Sequence, residues 1–147
     1  MPRGYRSPVP EPTLRTRVAA YGLAQTDGKV LLVRASASSG VPGTWWLPGG
    51  GVEFGEPPEQ AVVREFMEEA GVLVRAGRVL KVLSELADRP DGQERLHTVR
   101  VIYEVELVAG SLRAEEHGTT DEVLWVDKAD AGRLNVMRFF RPFLGCN

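Results

Sequence analysis

The chain has 147 residues, of which 43% are hydrophobic and 26% are charged, and these values fit one globular domain with its own core. Its 18 basic and 20 acidic residues give a net charge of -2, so the sequence lacks the positive excess expected for binding a nucleic-acid polymer. The single cysteine, Cys146, excludes an internal disulfide framework and fits a reducing environment. No segment approaches the ~18 apolar residues of a membrane span, so we expect a cytoplasmic protein that does not bind membranes.

The N-terminal segment differs in composition from the rest of the chain. Its first thirteen residues, MPRGYRSPVPEPT, contain four prolines and no apolar stretch of the kind that a signal peptide needs. We therefore expect a flexible proline-rich tail at residues 1–13 and a single folded domain at residues 14–147.

Two strands joined by a tight turn are the first elements that the sequence predicts. RVAAYGLAQ (17–25) is apolar and partly alternating, TDG (26–28) is a typical turn sequence, and KVLLVRA (29–35) is a second apolar run. WWLP (45–48) predicts a further short strand that ends at the three glycines Gly49–Gly51.

A central helix is predicted at residues 57–70. Pro57 and Pro58 suit its first turn, where a missing N–H costs no hydrogen bond, and Gly71 ends it. The later elements are strands within residues 72–86, 97–108 and 122–126, and a terminal helix within residues 134–144. Because groups of strands alternate with helices, we expect an α/β fold with a mixed β-sheet.

The central helix gathers three carboxylates on one face. At 100° per residue, Glu65, Glu68 and Glu69 fall within an arc of about 100°, beside a stripe of apolar side chains. Glutamate is also a good helix former, so a plain solvent-facing acidic surface is the alternative interpretation.

The glycine-rich segment LPGGGVEFGE (47–56), directly ahead of the helix, favours a functional role for these acids. Its tight backbone brings carbonyl groups next to the carboxylates. Carboxylate and carbonyl oxygens are ligands that suit Mg²⁺ or Mn²⁺, whereas zinc favours histidine or cysteine. The spacing of the two histidines, His97 and His117, does not predict a metal-binding pair.

Residues 50–72 resemble the signature motif of the Nudix hydrolases. Gly50 is followed after five residues by Glu56 and after seven more by REFMEEAGV (64–72), which matches the Nudix box G-x5-E-x7-R-E-U-x-E-E-x-G-U at every fixed position. Phe66 at the first U is a mild departure that is still bulky and apolar. GEPPEQAVVRE (55–65) is especially similar to the bacterial mutator-type branch of the family, which acts on nucleoside triphosphates.

The resemblance implies an α/β/α sandwich with a catalytic loop-helix-loop. It also implies hydrolysis of a nucleoside diphosphate that is linked to another moiety. Glu65, Glu68 and Glu69 would hold Mg²⁺ or Mn²⁺ together with the backbone carbonyl of Gly50, and Glu65 is a candidate base.

Other residues take supporting roles by the same resemblance. Arg64 would orient the carboxylates, and Glu56 would support the loop and the helix. Members of the family often add a carboxylate from a later loop. Glu116 is our candidate for it, with Glu115 and Asp121 as rivals.

Three residues are candidates for substrate binding. Arg34 matches an arginine near the substrate phosphates, although a surface arginine at a strand end is an equal alternative. Asn135 matches an asparagine that reads a purine, with a helix N-cap as the alternative. Strand alternation predicts that Trp45 packs inside while Trp46 faces the cleft as a stacking surface.

The substrate is expected to be a small-molecule nucleotide, and its identity is left open by the sequence. A nucleoside triphosphate is the first expectation, and ADP-ribose or another nucleotide conjugate is the alternative. A domain that senses a nucleotide without hydrolysing it is the third. A homodimer is a further expectation.

Overall fold

The computed structural model describes residue 4 and residues 6–145, so Cys146 lies outside the described residues. Within them, seven strands belong to one sheet: β1 Thr13–Thr26, β2 Lys29–Ala35, β3 Trp45–Trp46, β4 Gly49–Gly51, β5 Val72–Asp88, β6 Glu94–Gly110 and β7 Thr120–Asp127. The helices are α1 Pro58–Ala70 and α2 Lys128–Ala131, with 3₁₀ segments at Ala37–Ser39 and Arg138–Leu144. No helix in this part of the chain is long and apolar enough to cross a bilayer.

Strand β1 occupies the centre of the sheet, whose order is β3-β2-β1-β6-β5, with β4 also paired to β1 and β7 to β2. It runs parallel to β6 and antiparallel to β2 and β4, which makes the sheet mixed, as predicted. β1 begins four residues before the predicted strand at 17–25, because Thr13–Arg17 pair with Glu94–Thr98. The predicted division into a tail at 1–13 and a domain at 14–147 stays a prediction.

Helix α1 confirms the predicted central helix to within one residue. Gly71 ends it in the left-handed conformation (φ 74°), and the Gly71 N–H donates to the carbonyl of Met67. Val62 and Phe66 are fully buried against residues from β1 and β2 in a core on this face of the sheet. Met67 of the same helix is apolar but 43% exposed.

A second core covers the opposite face of the sheet and contains Phe140 and Leu144 from the C-terminal segment. That segment is a 3₁₀ helix from Arg138 rather than the predicted helix over residues 134–144. Val136 forms a β-bridge with Trp45, which keeps the chain extended ahead of Arg138. Pro142 adds to the difference, since proline lacks the N–H of an α-helical hydrogen bond and disfavours the α conformation in the residue before it. Helical segments therefore flank the sheet on both faces, which confirms the predicted α/β/α sandwich.

Candidate active site

The three-glycine strand β4 brings α1 close to the sheet. A Cβ at Gly50 would lie 2.7 Å from Oε1 of Glu65, and a Cβ at Gly49 would lie 2.6 Å from the Cα of Tyr21 in β1. Gly49 therefore permits the close pairing of β4 with β1, while Gly50 leaves room for the Glu65 carboxylate. The structure thus places Gly50, the predicted backbone ligand, directly beside a predicted carboxylate ligand.

Arg64 connects the loop, β4 and the acidic face of α1. Its Nε and Nη2 each donate a 2.9 Å hydrogen bond to the carboxylate of Glu56. Nη2 also donates to the carbonyl of Gly51 at 3.1 Å, and Nη1 donates to Glu65 at 3.1 Å and to Glu68 at 3.4 Å. This one side chain fixes the relative positions of two predicted metal ligands.

The Arg64–Glu56 pair is charged at ordinary pH. Hydrogen bonds from Arg64, followed by one from the Glu53 N–H, lower the pKa of Glu56 to about 2. The same hydrogen bonds raise the pKa of Arg64 above its already high ordinary value. Glu56 is therefore an anchor for Arg64 rather than a group that exchanges protons near neutral pH.

Glu69 is the buried member of the acidic face, with only 2% of its surface exposed. Its Oε2 has no hydrogen-bond partner among the described residues. Burial raises the pKa of Glu69 well above its ordinary value, and a hydrogen bond to Glu65 and the charge of Glu65 add to the effect, while a hydrogen bond from the Gly49 N–H opposes it. Glu65 and Glu69 therefore lie close together, and no cationic side chain among the described residues binds Oε2 of Glu69.

The structure brings Glu65 and Glu69 into one cavity and Glu68 into another. The first cavity has a volume of about 300 Å³ and is also lined by Gly50 and Trp46. Glu68 lines a cavity of about 390 Å³ beside the loop at residues 113–116. A larger cavity of about 640 Å³ contains none of the predicted site residues, so chemistry rather than size identifies the candidate site.

The three candidates for a late-loop carboxylate differ in their contacts. Glu115 accepts a 2.9 Å hydrogen bond from the Thr120 hydroxyl, and Asp121 accepts a 2.8 Å hydrogen bond from Nε of Arg34. Glu115 and Glu116 both line the cavity of Glu68, but Glu116 is exposed and has no ion pair in the described part of the chain. Its carboxylate is therefore available, whereas those of its rivals are engaged.

Of the three candidate substrate residues, Trp46 lines the cavity of the carboxylates, whereas Arg34 and Asn135 do not. The buried Nε1 of Trp46 has no hydrogen-bond partner among the described residues. Trp45 is 8% exposed and packs in the second core, so the two side chains point in different directions. Arg34 lies 5.8 Å from the Trp45 ring and does not line the cavity. Asn135 is exposed and accepts a backbone hydrogen bond from Trp45, and the 3₁₀ segment that follows has Met137 as its N-cap.

Sequence reasoning missed four side chains that line this cavity, and two of them, Arg17 and Tyr21, belong to β1. Their spacing places them on one face of a strand, a signal that was present in the sequence. Their position opposite the carboxylates follows from the pairing of Tyr21 with Gly49 and of Ala19 with Gly51. Burial raises the pKa of Tyr21, although the nearby Arg100 and Arg17 oppose the effect.

Comparison with known proteins agrees with this geometry. The family model described as NUDIX domain matches residues 13–144. The chain is 36% identical over 101 residues to an ADP-ribose pyrophosphatase of Methanocaldococcus jannaschii, covering 69% of this chain and 57% of that protein. It is 30% identical over 131 residues to the nucleoside triphosphatase NudI of an Enterobacter species, covering 84% of this chain and 90% of that protein.

Shorter and structural matches point the same way. Diphosphoinositol polyphosphate phosphohydrolase 3-alpha of Mus musculus is 46% identical over 66 residues, and the match spans only 38% of its length. The crystal structure of a MutT NUDIX hydrolase from Burkholderia pseudomallei aligns with a TM-score of 0.72 at 28% identity, covering 89% of this chain and 97% of that one. The chain therefore belongs to the NUDIX family.

Proposed function

We propose that this chain hydrolyses the pyrophosphate linkage of a nucleoside triphosphate with the help of a divalent cation. The observation that carries the proposal is the buried Glu69, which lies beside Glu65 in a cavity and whose Oε2 has no hydrogen-bond partner among the described residues. Arg64 fixes Glu65 from the other side at 3.1 Å. Burying a carboxyl group beside a second carboxylate, with one of its oxygens left without a partner, costs stability, and such a cost is typical of a functional site.

The donor set fits a divalent cation. No three carboxylate, histidine or cysteine side chains within residues 6–145 already stand in a metal-binding arrangement. Glu65, Glu68, Glu69 and the Gly50 carbonyl offer only oxygen, the ligand that Mg²⁺ and Mn²⁺ prefer, and Glu116 would add a further oxygen from the late loop. When bound, the cation would neutralise phosphate oxygens and acidify the attacking water.

The chain's own residues have distinct proposed roles. Glu65 accepts the proton of the attacking water, a role that suits a carboxylate at the cavity wall. Arg64 orients Glu65, and Glu56 holds Arg64 through two 2.9 Å hydrogen bonds. Trp46 offers an aromatic surface for a nucleobase. Contacts of Arg34 and Asn135 with the substrate stay predictions.

The relatives favour a triphosphate as the substrate. The nucleoside triphosphatase match spans most of both chains, whereas the ADP-ribose pyrophosphatase match spans 57% of that protein. The higher identity of the latter, 36%, supports ADP-ribose as the alternative substrate. Nucleotide sensing without hydrolysis is less favoured, because every acid of the Nudix box is present. A cytoplasmic location and a homodimer stay predictions.

Product identification tests the proposal. The protein is incubated with nucleoside triphosphates and with ADP-ribose in Mg²⁺ or Mn²⁺, and an EDTA control is included. Pyrophosphate plus a nucleoside monophosphate is the expected outcome, whereas AMP plus ribose 5-phosphate from ADP-ribose alone would favour the alternative. Nucleotide binding without any product would indicate a sensor and contradict the proposed hydrolysis.

A further inference from the structure

Arg17 lies in the same cavity as the carboxylates but on the other side of β4. A Cβ at Gly50 would point at Glu65, whereas a Cβ at Gly51 would lie 3.1 Å from Nη2 of Arg17. Consecutive residues of a strand face opposite sides. The glycine strand therefore separates a cationic wall from an acidic wall, and the cavity of about 300 Å³ is lined by both.

The Arg17 guanidinium has no counter-ion among the described residues. Within the described residues it forms neither an ion pair nor a side-chain hydrogen bond, although it is half-buried. Arg15 on the same strand pairs with Glu94 at 3.3 Å, and Arg100 pairs with Glu85 at 3.1 Å. A half-buried guanidinium without a counter-ion is an anion-binding group, and its planar fork matches phosphate oxygens.

We propose that Arg17 binds a third phosphate of the substrate and so makes the site selective for triphosphates. The inference rests on the proposed function, in which the two phosphates of the cleaved linkage lie on the acidic side of β4. A triphosphate carries one further anionic group that can reach across the strand to Arg17. In ADP-ribose both groups that flank the two phosphates are neutral sugars, which leave the Arg17 charge unpaired.

Steady-state kinetics of matched variants test this selectivity. R17M keeps the aliphatic stem without the charge, R17K keeps the charge, and R15M removes a paired arginine two residues away on the same strand face. We expect R17M to raise KM for GTP and CTP about tenfold to hundredfold while kcat changes little, because a hydrogen bond to a charged group is lost. KM for ADP-ribose should not change, R17K should recover part of the effect, and R15M should match the wild type.

Two kinetic outcomes would overturn the proposal. One is an equal rise in KM for GTP and ADP-ribose. The other is a rise in KM for GTP in R15M that is as large as the rise in R17M. Thermal unfolding of each variant establishes that it is folded.

A binding measurement separates this inference from the proposed hydrolysis. Calorimetric titration with inorganic tripolyphosphate in EDTA requires neither turnover nor a metal. We expect the wild type and R15M to bind tripolyphosphate more tightly than R17M does. That result would support Arg17 even for a chain that hydrolyses no nucleotide, whereas equal binding by R15M and R17M, or no binding by the wild type, would reject it.

Discussion

Arg64 and Glu56 form a two-pronged ion pair in which both hydrogen bonds measure 2.9 Å. The pair joins the loop ahead of α1 to the middle of the helix. The remaining N–H groups of Arg64 reach Glu65 and the Gly51 carbonyl, so the orientation of the acidic face depends on this one side chain. Its geometry is a planar fork, which lysine cannot reproduce.

Replacing Arg64 with lysine should therefore impair catalysis more than folding. Lysine keeps the charge but cannot bind Glu56 and Glu65 at the same time, so we expect kcat to fall about tenfold to hundredfold and the unfolding free energy by roughly 1–2 kcal/mol. Steady-state kinetics and urea denaturation check the two effects. An R64K enzyme with wild-type kcat would show that the fork does not position Glu65.

Lowering the pH from about 4.5 to about 2 should remove the contribution of Glu56 to the free energy of unfolding. Its pKa is lowered from 4.5 to about 2, so folding favours the charged form. This stabilisation is complete above the unfolded-state pKa and disappears as the pH falls through about 2. We expect E56Q to unfold at a lower urea concentration than the wild type near neutral pH. The difference should shrink between about pH 4.5 and about pH 2, and a gap that stays constant would contradict the assignment.

Replacing Glu69 with glutamine should stabilise the metal-free protein while abolishing its activity, because the raised pKa of Glu69 shows that burying this carboxyl group costs stability near neutral pH. Glutamine is neutral and can donate an N–H to Glu65, so we expect E69Q to gain about 1 kcal/mol in EDTA. Mg²⁺ should raise the Tm of the wild type and leave that of E69Q nearly unchanged, since ligand binding to the native state stabilises it. A metal-free wild type that is more stable than E69Q would show that burying the Glu69 carboxyl group costs no stability.

The central helix could be predicted because its signals are local. The two prolines, the apolar stripe and Gly71 lie within fifteen residues, and the structure places α1 at Pro58–Ala70. The terminal helix was predicted from the spacing of its apolar residues alone. Phe140 and Leu144 are buried, but apolar spacing does not reveal the bridge between Val136 and Trp45 or the backbone restriction at Pro142, and the segment is 3₁₀.

The cavity wall opposite the carboxylates could not be predicted with the same means. Arg17 reaches the site because Ala19 pairs with Gly51. This pairing joins residues that are 32 positions apart in the sequence. Hydrophobic alternation within one strand does not define the register between two strands. The family resemblance places Arg34 near the substrate phosphates. In the structure its Nε donates a 2.8 Å hydrogen bond to Asp121, and Arg34 does not line the cavity of the carboxylates.

Substitutions at two of the three glycines of β4, Gly49 and Gly50, should separate an effect on folding from an effect on catalysis. A methyl group at Gly50 would collide with the carboxylate of the Glu65 side chain, whereas one at Gly49 would collide with the backbone of Ala20 and Tyr21. The Glu65 side chain can rotate away at the cost of its hydrogen bond from Arg64, but a paired strand cannot move. We expect G50A to keep a nearly wild-type Tm and lose about a hundredfold in kcat through displacement of Glu65.

G49A serves as the matched comparison, because it adds the same methyl group one residue earlier. We expect it to lower the Tm strongly, with activity lost in proportion to the unfolded fraction. Circular dichroism melts and kcat of both variants, measured under the same conditions, distinguish the two effects. If G50A retained full activity, the close approach of Glu65 to β4 would not be required for turnover.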